Sequence, residues 1–371
     1  YPDQNFGYPK PTPALLTGDA FGGGGIMVRD GGRNTSYALY GQTSFDIAPK
    51  LRGTIGLRYS YDETSAFGEA DVFVTSVGIM TGYLLGGAIV VGAPRGTARA
   101  TYSKLTWRAA LDYKPTDELL IYASASRGTK AGGFALTTFD PTPIRPETLD
   151  AYEVGFKAEL FARRARLSGA LFYYDFKDPQ VQVQADSGVT RLINAGGAEV
   201  KGAEIDAVFQ LTPDLLLRGS ATFLDATYTD YPNAPFFTPN PLPPFGYLPS
   251  VPSDARGNRL TRAPKFSANA GFTYSIPVND GDKIELGANY AWTGKFYWNP
   301  DNRVSQPGYG LLDAQIGYSF REDSLKLEIW GSNLTKEKYN VAEQQFGNFI
   351  GVAGNPGAPR TYGVRLRFKY N

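Results

Sequence analysis

Cysteine and histidine are both absent from this chain of 371 residues. Without cysteine there is no disulfide and no thiol nucleophile, and without histidine the usual general base and the commonest metal ligand are missing. Catalytic sites that need either residue are therefore excluded. Carboxylate or Ser-Lys chemistry remains, but no motif supports it. We predict that the chain is not an enzyme and needs no cofactor or metal of its own.

An excess of charge of one sign and long apolar runs are also lacking. Lys and Arg number 37 and Asp and Glu 36, so the net charge of +1 gives no reason to expect nucleic acid as a partner. No apolar run reaches the roughly 18 residues of a transmembrane helix. The stretch 77–93 is interrupted by glycines and is interpreted as loop or strand. The glycine run 21–25 lacks the Lys-Ser/Thr of a phosphate-binding loop.

The chain is rich in aromatic residues (14%) and glycine (43 residues), and apolar and polar side chains alternate along it. A period of two residues over about ten positions is typical of a β-strand whose faces meet different surroundings. The pattern recurs in 152–160, 284–292, 311–320 and 358–371. In 51–62 the apolar face consists of Leu51, Ile55, Leu57, Tyr59 and Tyr61, opposite Arg52, Thr54, Arg58, Ser60 and Asp62.

Short and long connections alternate between these segments. The short ones are 46–51, 114–119, 160–166, 211–216, 277–283 and 320–325, and the long ones are 63–100, 129–146, 179–196, 230–261, 298–307 and 337–357. Short turns at one end, long loops at the other and aromatics near strand ends are typical of an outer-membrane β-barrel. A soluble sandwich or propeller is the alternative, but its core would favour Val, Ile and Leu over aromatics. We therefore predict an all-β transmembrane antiparallel barrel with short periplasmic turns and long extracellular loops.

About thirteen membrane strands are predicted: 35–47, 51–62, 101–113, 118–128, 147–160, 164–178, 197–210, 215–229, 262–276, 282–298, 308–321, 324–336 and 358–371. With the turns in the periplasm, the C-terminus is periplasmic and residues 1–34 form an extracellular loop segment. Bacterial single-chain barrels normally have an even number of strands, and an open sheet edge in lipid is costly. We expect further strands upstream of this chain or from another chain, unless the count is wrong by one.

Four blocks of the sequence resemble TonB-dependent outer-membrane receptors. They read "SYALYGQTSFDIAPKLRGTIGLRYSYDET", "RPETLDAYEVGFKAELFARRARLSGALFYYDFKDPQVQV", "NAGGAEVKGAEIDAVFQLTPDLLLRGSATFLDATYTDY" and "LEIWGSNLTKEKYN" with "PRTYGVRLRFKYN". The resemblance implies a 22-stranded barrel filled by an N-terminal plug, with 35–371 as the C-terminal portion of the barrel. The plug and the TonB box are not expected within this chain. The family's signal for barrel assembly is matched by Thr361, Gly363, Leu366 and Phe368.

The resemblance also implies a function. Such a protein is a multi-pass barrel of the cell outer membrane that binds a scarce large solute, often siderophore-bound iron, and imports it with energy from TonB. The expected partners are TonB, reached through the plug, outer-membrane lipid, the barrel assembly machinery and the solute. Two alternatives stay open: a passive porin-like channel, and a barrel that docks a surface lipoprotein or protein complex.

Candidate ligand-binding residues lie in two loops, since aromatic faces and arginine forks suit planar, anionic or sugar-like ligands. Tyr297 and Trp298 have an alternative role as anchors at the membrane interface. Asp254 alone is too few carboxylates for a calcium site. The inward cations of the last strand are expected to be solvated or paired with carboxylates such as Glu153 and Glu159. The candidates are Phe296, Tyr297, Trp298, Asn299, Asp301 and Arg303, together with Arg256 and Arg259.

Overall fold

The computed structural model describes residues 24–74, 89–135, 140–184, 190–242, 246–248, 250–279, 281–320, 324–346 and 351–369. The regular elements in these ranges are all β-strands. No helix in the same ranges is long and apolar enough to cross a membrane. The main sheet contains β1 (Gly24–Ala48), β2 (Leu51–Val74), β3 (Ile89–Thr116), β4 (Leu119–Lys130), β5 (Glu147–Leu160), β6 (Ala165–Lys177), β7 (Gly197–Thr212), β8 (Leu215–Asp230), β9 (Phe266–Asn279), β10 (Asp282–Thr293), β11 (Tyr309–Phe320), β12 (Leu325–Ser332) and β13 (Thr361–Phe368).

The thirteen strands lie side by side in chain order, and each is antiparallel to its neighbours. The predicted number of strands and the antiparallel meander are therefore confirmed. Within the described residues, β1 and β13 are the two edges of the sheet. Six two-stranded ribbons lie in the long connections: Gly133–Ala135 with Asp140–Ile144, Gln180–Gln184 with Thr190–Asn194, Ala234–Phe236 with Val251–Ser253, Pro239–Asn240 with Gly246–Tyr247, Phe296–Tyr297 with Ser305–Gln306, and Asn340–Phe346 with Gly351–Pro356.

All six predicted short connections lie at one end of the sheet. The β1–β2 turn has only two residues, and Lys50 in it adopts the left-handed conformation with φ of 69°. The Lys50 ammonium donates a hydrogen bond of 2.5 Å to the Pro115 carbonyl, which joins this turn to the next one. The β5–β6 turn holds Phe161, Ala162 and Arg163 at positive φ. Tight turns of this kind leave little chain beyond the strands at this end.

The predicted bounds were most wrong for the first three strands. Among the others, β9 begins at Phe266 rather than 262, β10 ends at Thr293 rather than 298, and β12 ends at Ser332 rather than 336. The β1 strand begins at Gly24 rather than 35, β2 continues to Val74, and β3 begins at Ile89, so most of the predicted loop 63–100 is strand. The ladder continues with little apolar alternation, and an ion pair of 2.6 Å between Arg99 and Glu63 crosses it. Backbone hydrogen bonds hold a ladder together without apolar alternation, which is why the alternation pattern missed these residues. Residues 1–23 lie outside the described residues, as do residues 77–88, which belong to the glycine-interrupted stretch 77–93.

The two faces of the sheet differ as predicted. On one face, Leu39, Tyr59 and Leu105 stand in one row across β1, β2 and β3, and all three side chains are exposed. On β13 the same face presents Val364 and Phe368, which are 68% and 75% exposed. The other face carries polar pairs, such as the Ser44 and Thr54 hydroxyls at 2.9 Å. An exposed apolar face opposite a polar one is the pattern of a barrel wall between lipid and a wet interior.

A buried apolar core is found above the sheet, in the long connections. Its largest members are Tyr228 and Tyr231, whose ring centroids lie 5.1 Å apart. This core joins connections that are distant in sequence, so the loops form a packed layer. Its residues are Val183, Ala195, Ala198, Tyr228, Tyr231, Ala234 and Ala255, with Phe176, Val181, Ile193, Phe236 and Leu260 packed against them.

Candidate functional site

Three long connections, 231–265, 294–308 and 333–360, meet in what we call the loop cluster. Asn302 joins the first two, because its amide oxygen accepts from the Arg259 backbone N–H at 2.8 Å and its amide nitrogen donates to the Arg259 carbonyl at 3.0 Å. Asn299 donates to the Gln345 side-chain oxygen at 2.5 Å and so links the third connection. Gln345 is fully buried. Side-chain amides thus hold the loops in one arrangement.

The predicted aromatic residues divide into buried and partly exposed. Phe296 and Trp298 are both 7% exposed, and their rings meet edge to face with centroids 4.9 Å apart. The Arg262 guanidinium lies 5.0 Å from the centre of the Trp298 ring. Tyr297 keeps an accessible surface, and the Lys295 ammonium lies 5.1 Å from its ring centre. Phe296 and Trp298 therefore pack inside the loop cluster, and Tyr297 faces its surface.

Asp301 is a buried carboxylate, 7% exposed, in the same connection. It accepts hydrogen bonds from the backbone N–H groups of Arg303 at 3.1 Å and Phe237 at 3.4 Å. Burial raises the pKa of Asp301 above its ordinary value, against the lowering effect of these two hydrogen bonds and of the Arg303 charge. The Arg303 guanidinium donates to the Phe237 carbonyl at 2.5 Å. Both residues therefore tie 294–308 to 231–265.

The two remaining candidates lie in 254–259. Arg259 is largely buried, with an ion pair of 3.2 Å to Asp225 and hydrogen bonds to the carbonyls of Leu224 and Ala263. Arg256 is exposed, with Asp230 at 3.5 Å and Asp254 at 4.0 Å. All eight predicted residues thus come together in the loop cluster. Arg256 and Arg303 are exposed, and Tyr297 and Asn299 are half-buried, with the Asn299 amide engaged by Gln345.

A second group, which the sequence reasoning missed, lies on the polar face of β4–β7. The Tyr122 hydroxyl donates to Glu153 at 2.7 Å, and the rings of Phe172 and Tyr174 stack at 4.9 Å. Glu204 stands in the same row as Tyr122, across β5 and β6. Within the described ranges neither Glu153 nor Glu204 has a cationic partner. We call Tyr122, Glu153, Phe172, Tyr174 and Glu204 the acidic-aromatic wall.

Glycines make room for the acidic-aromatic wall. A Cβ at Gly155 would come within 2.6 Å of both the Tyr122 hydroxyl and the Gly169 carbonyl. A Cβ at Gly202 would meet the Phe172 ring and would also come within 2.7 Å of the Phe223 carbonyl. Alternation placed Glu153 on the polar side of a strand. Only the register of neighbouring strands shows that Tyr122 lies next to Glu153 and that Glu204 lies on the same face two strands away.

A third polar group surrounds Glu328, which is 1% exposed. Arg365 donates to Glu328 at 2.6 Å, and the Lys326 ammonium lies 3.4 Å from Glu328 and 2.5 Å from Glu285. The expected pairing of the last strand's cations is thus present, but Glu328 of the adjacent β12 is the partner. Glu153 lies on β5, several strands away, and Glu159 pairs with Arg163 and Arg166.

No group of three or more acidic, His or Cys side chains that would suit a metal ion occurs in the part of the chain that the structure describes. The side chains gathered in the loop cluster instead include guanidinium groups, amides and aromatic rings. Such groups suit a ligand that brings its own charge or its own metal.

Comparison with known proteins identifies the family. Residues 2–334 match the family described as TonB dependent receptor-like, beta-barrel. The chain is 22% identical over 338 residues to the pesticin receptor of Yersinia enterocolitica, covering 90% of the chain and 43% of that protein. It is 27% identical over 284 residues to the metal-pseudopaline receptor CntO of Pseudomonas aeruginosa, covering 74% of the chain and 36% of that protein.

A solved structure shows the same fold. The ferric yersiniabactin uptake receptor FyuA of Yersinia pestis superposes with a TM-score of 0.74 at 19% identity, over 93% of this chain and 47% of that one. The chain therefore spans less than half the length of each of these relatives. Its thirteen-stranded sheet, two-faced strands and match along most of the sequence lead to one conclusion: the chain belongs to the TonB-dependent receptors, as part of their β-barrel domain.

Proposed function

We propose that this protein is an outer-membrane receptor that binds a scarce large solute at the cell surface and imports it with energy from TonB. The solute class is a chelated metal such as siderophore-bound iron, because the matched relatives are named as receptors for a metal-pseudopaline complex and for ferric yersiniabactin uptake. The observation that carries the proposal is the difference between the two ends of the sheet. Tight turns lie at one end of the sheet, and a packed loop cluster with accessible Tyr297, Arg256 and Arg303 lies at the other.

The apolar face supports the location in the outer membrane. Side chains such as Leu39, Leu171 and Phe223 would be half or more exposed to water if no lipid covered them. The cost of leaving such area in water is about 25 cal/mol per Å². Lipid is therefore the expected environment of this face, and Thr361, Gly363, Leu366 and Phe368 of β13 are the expected signal for barrel assembly.

The acidic-aromatic wall supports a plug inside the barrel. Glu153 and Glu204 face the barrel interior with no cation beside them in the described residues, and three aromatic rings surround them. Carboxylates and ring faces together suit an arginine or lysine side chain. A plug that presents such a cation would be held against β5–β7, and TonB would act on the barrel only through it. The strands from Gly24 onward would then be the wall portion of the barrel.

The test is deletion of the gene followed by growth on iron supplied only as a chelate. Loss of growth, restored by the gene but not when the TonB protein is also deleted, is the expected result. Growth that survives deletion of TonB, with steady ion conductance of the purified protein in planar bilayers, would identify a passive channel instead. A co-purifying surface protein with no effect on chelate uptake would identify a docking role.

A further inference from the structure

A group of three uncompensated cations lies on the polar face of β2 and β3. Arg58 stands opposite Thr106, and Lys104 and Arg108 flank Thr106 on the same face of β3. Diagonal neighbours of this kind have Cβ atoms about 7–8 Å apart. Arg58 therefore lies about one Debye length, roughly 8 Å at physiological salt, from each of the other two cations. Lys104 and Arg108 are four residues apart on one strand, about 13 Å, so Arg58 stands between them.

Their contacts leave these charges unneutralised. Arg58 donates to the Ser60 hydroxyl at 3.0 Å and lies 5.8 Å from the centre of the Tyr40 ring. Among the residues that the structure describes, none of the three forms an ion pair. The nearby carboxylates on this face are used elsewhere or remain apart. Asp46 pairs with Arg52 at 3.2 Å, and Asp62 accepts from Ser36 at 2.6 Å.

We infer that Arg58, Lys104 and Arg108 form an anion-binding site on the barrel wall, and that the transported solute is an anionic metal chelate. This inference rests on the proposed function and adds the charge class of the substrate. Like charges held this close repel each other, and a bound anion relieves the repulsion. Guanidinium forks bind paired carboxylate or catecholate oxygens in a bidentate manner, and the Tyr40 ring offers a face for a planar chelating group.

The three cations lie beside the acidic-aromatic wall on the same face of the sheet. Ser126 of β4 lies opposite Arg108, and Ser124 lies opposite Glu153, so a strip of serines separates the cations from the acidic-aromatic wall. The barrel wall therefore presents opposite charges on adjacent sectors. A plug that presents cations is expected to contact the acidic sector. The basic sector would then be available to an anionic solute. Acidic side chains of a plug are the other partner that the experiment must separate.

The experiment uses the complete protein in outer-membrane preparations and three iron(III) probes: a trianionic tris-catecholate, ferric citrate and a neutral tris-hydroxamate. The variant is R58Q/K104Q/R108Q, with R58K/R108K to restore charge and R52Q as a matched lumenal control. Gel mobility before and after heating establishes that each barrel is assembled. Wild type is expected to prefer an anionic probe, and the triple variant to lose about tenfold or more of that affinity. R58K/R108K and R52Q are expected to retain the wild-type preference.

Three results overturn the inference. If wild type binds the neutral chelate as tightly as the anionic ones, and the triple variant is unchanged, the site plays no part and the proposed function still stands. If the triple variant loses all probes equally, the cations hold acidic side chains of the protein. If wild type binds no chelate, both the inference and the proposed function fail.

Discussion

The hydroxyl of Tyr122 on β4 donates a hydrogen bond of 2.7 Å to the Glu153 carboxylate on β5. β4 and β5 are adjacent antiparallel strands, and the two side chains meet on the polar face of the sheet. This contact anchors the acidic-aromatic wall, and several expected outcomes depend on it and on the loop cluster.

Tyr122→Phe removes only the hydroxyl. A hydrogen bond to a charged acceptor is worth about 1.5–3 kcal/mol, so the free energy of unfolding should fall by about 1.5 kcal/mol. Urea unfolding of the purified protein in detergent, followed by tryptophan fluorescence, measures it. Tyr362→Phe is the matched control, because Tyr362 is 77% exposed on the apolar face. An equal effect of both changes would contradict a role for the Glu153 contact.

Gly155→Ala should disturb the same contact from the other side. The new Cβ would come within 2.6 Å of the Tyr122 hydroxyl and of the Gly169 carbonyl, so ring and backbone must both move. Overpacking of this kind costs about 1–3 kcal/mol. Gly128→Ala is the control, since a Cβ there meets nothing within 4 Å. If both variants melt at the same temperature as wild type, the acidic-aromatic wall accommodates the new Cβ without loss of stability, which would contradict the prediction.

Glu328→Gln leaves Arg365 and Lys326 with one carboxylate fewer. Glu328 is 1% exposed, and removing one partner from a buried ion pair costs about 3–5 kcal/mol. Glu199→Gln breaks an exposed pair with Lys201 and should cost less than about 1 kcal/mol. Unfolding in urea should therefore shift strongly for the first variant only. Similar midpoints for the two variants would place Glu328 in contact with water.

Asp301 should make the loop cluster sensitive to pH. Its pKa is raised in the folded loops by burial, so the folded state holds the proton more tightly than the unfolded one. Stability is greatest below the ordinary carboxyl pKa and is lost as the pH rises through the raised value. The protection factor of the Phe237 amide, which donates to Asp301, should fall over that window once the base-catalysed rise of the intrinsic exchange rate is divided out. In Asp301→Asn this protection factor should not change with pH, and a change that persists would assign the effect to another group.

Phe368→Ala should lower the amount of assembled barrel in cells. Phe368 is 75% exposed at the end of β13, so its loss removes little packing in the folded protein. Tyr362→Ala is the control on the same face of the same strand. Heat-modifiable gel mobility of outer-membrane fractions should fall for Phe368→Ala alone. Equal loss for both variants would indicate that the strand's apolar face, and not a terminal signal, is required.

The sequence predicted the repeating parts of this fold well. Alternation in 284–292 and 311–320 fixed both faces of β10 and β11, because a period of two leaves no freedom once one face is apolar. Turn composition placed all six tight connections. The same reasoning ended β2 too early, since 63–74 pair through their backbone with little apolar pattern.

The candidate site was foreseen only in part. Loop composition gathered eight residues that do lie together, but it gave no sign that Phe296 and Trp298 pack against each other or that Asp301 is buried. Those outcomes depend on contacts between 231–265, 294–308 and 333–360, which are far apart in the chain. Composition shows which side chains the loops contain. It does not show which of them pack against other loops and which remain accessible to a ligand.

The sequence by itself determined the class of fold and which connections are tight turns and which are long loops, because both follow from periodicity and turn composition. It also excluded histidine and cysteine chemistry, because neither residue is present. The tertiary structure decided which charges are matched. Arg365 meets Glu328, Tyr122 meets Glu153, and Arg58 meets no carboxylate among the described residues, because strand register alone determines which side chains face one another.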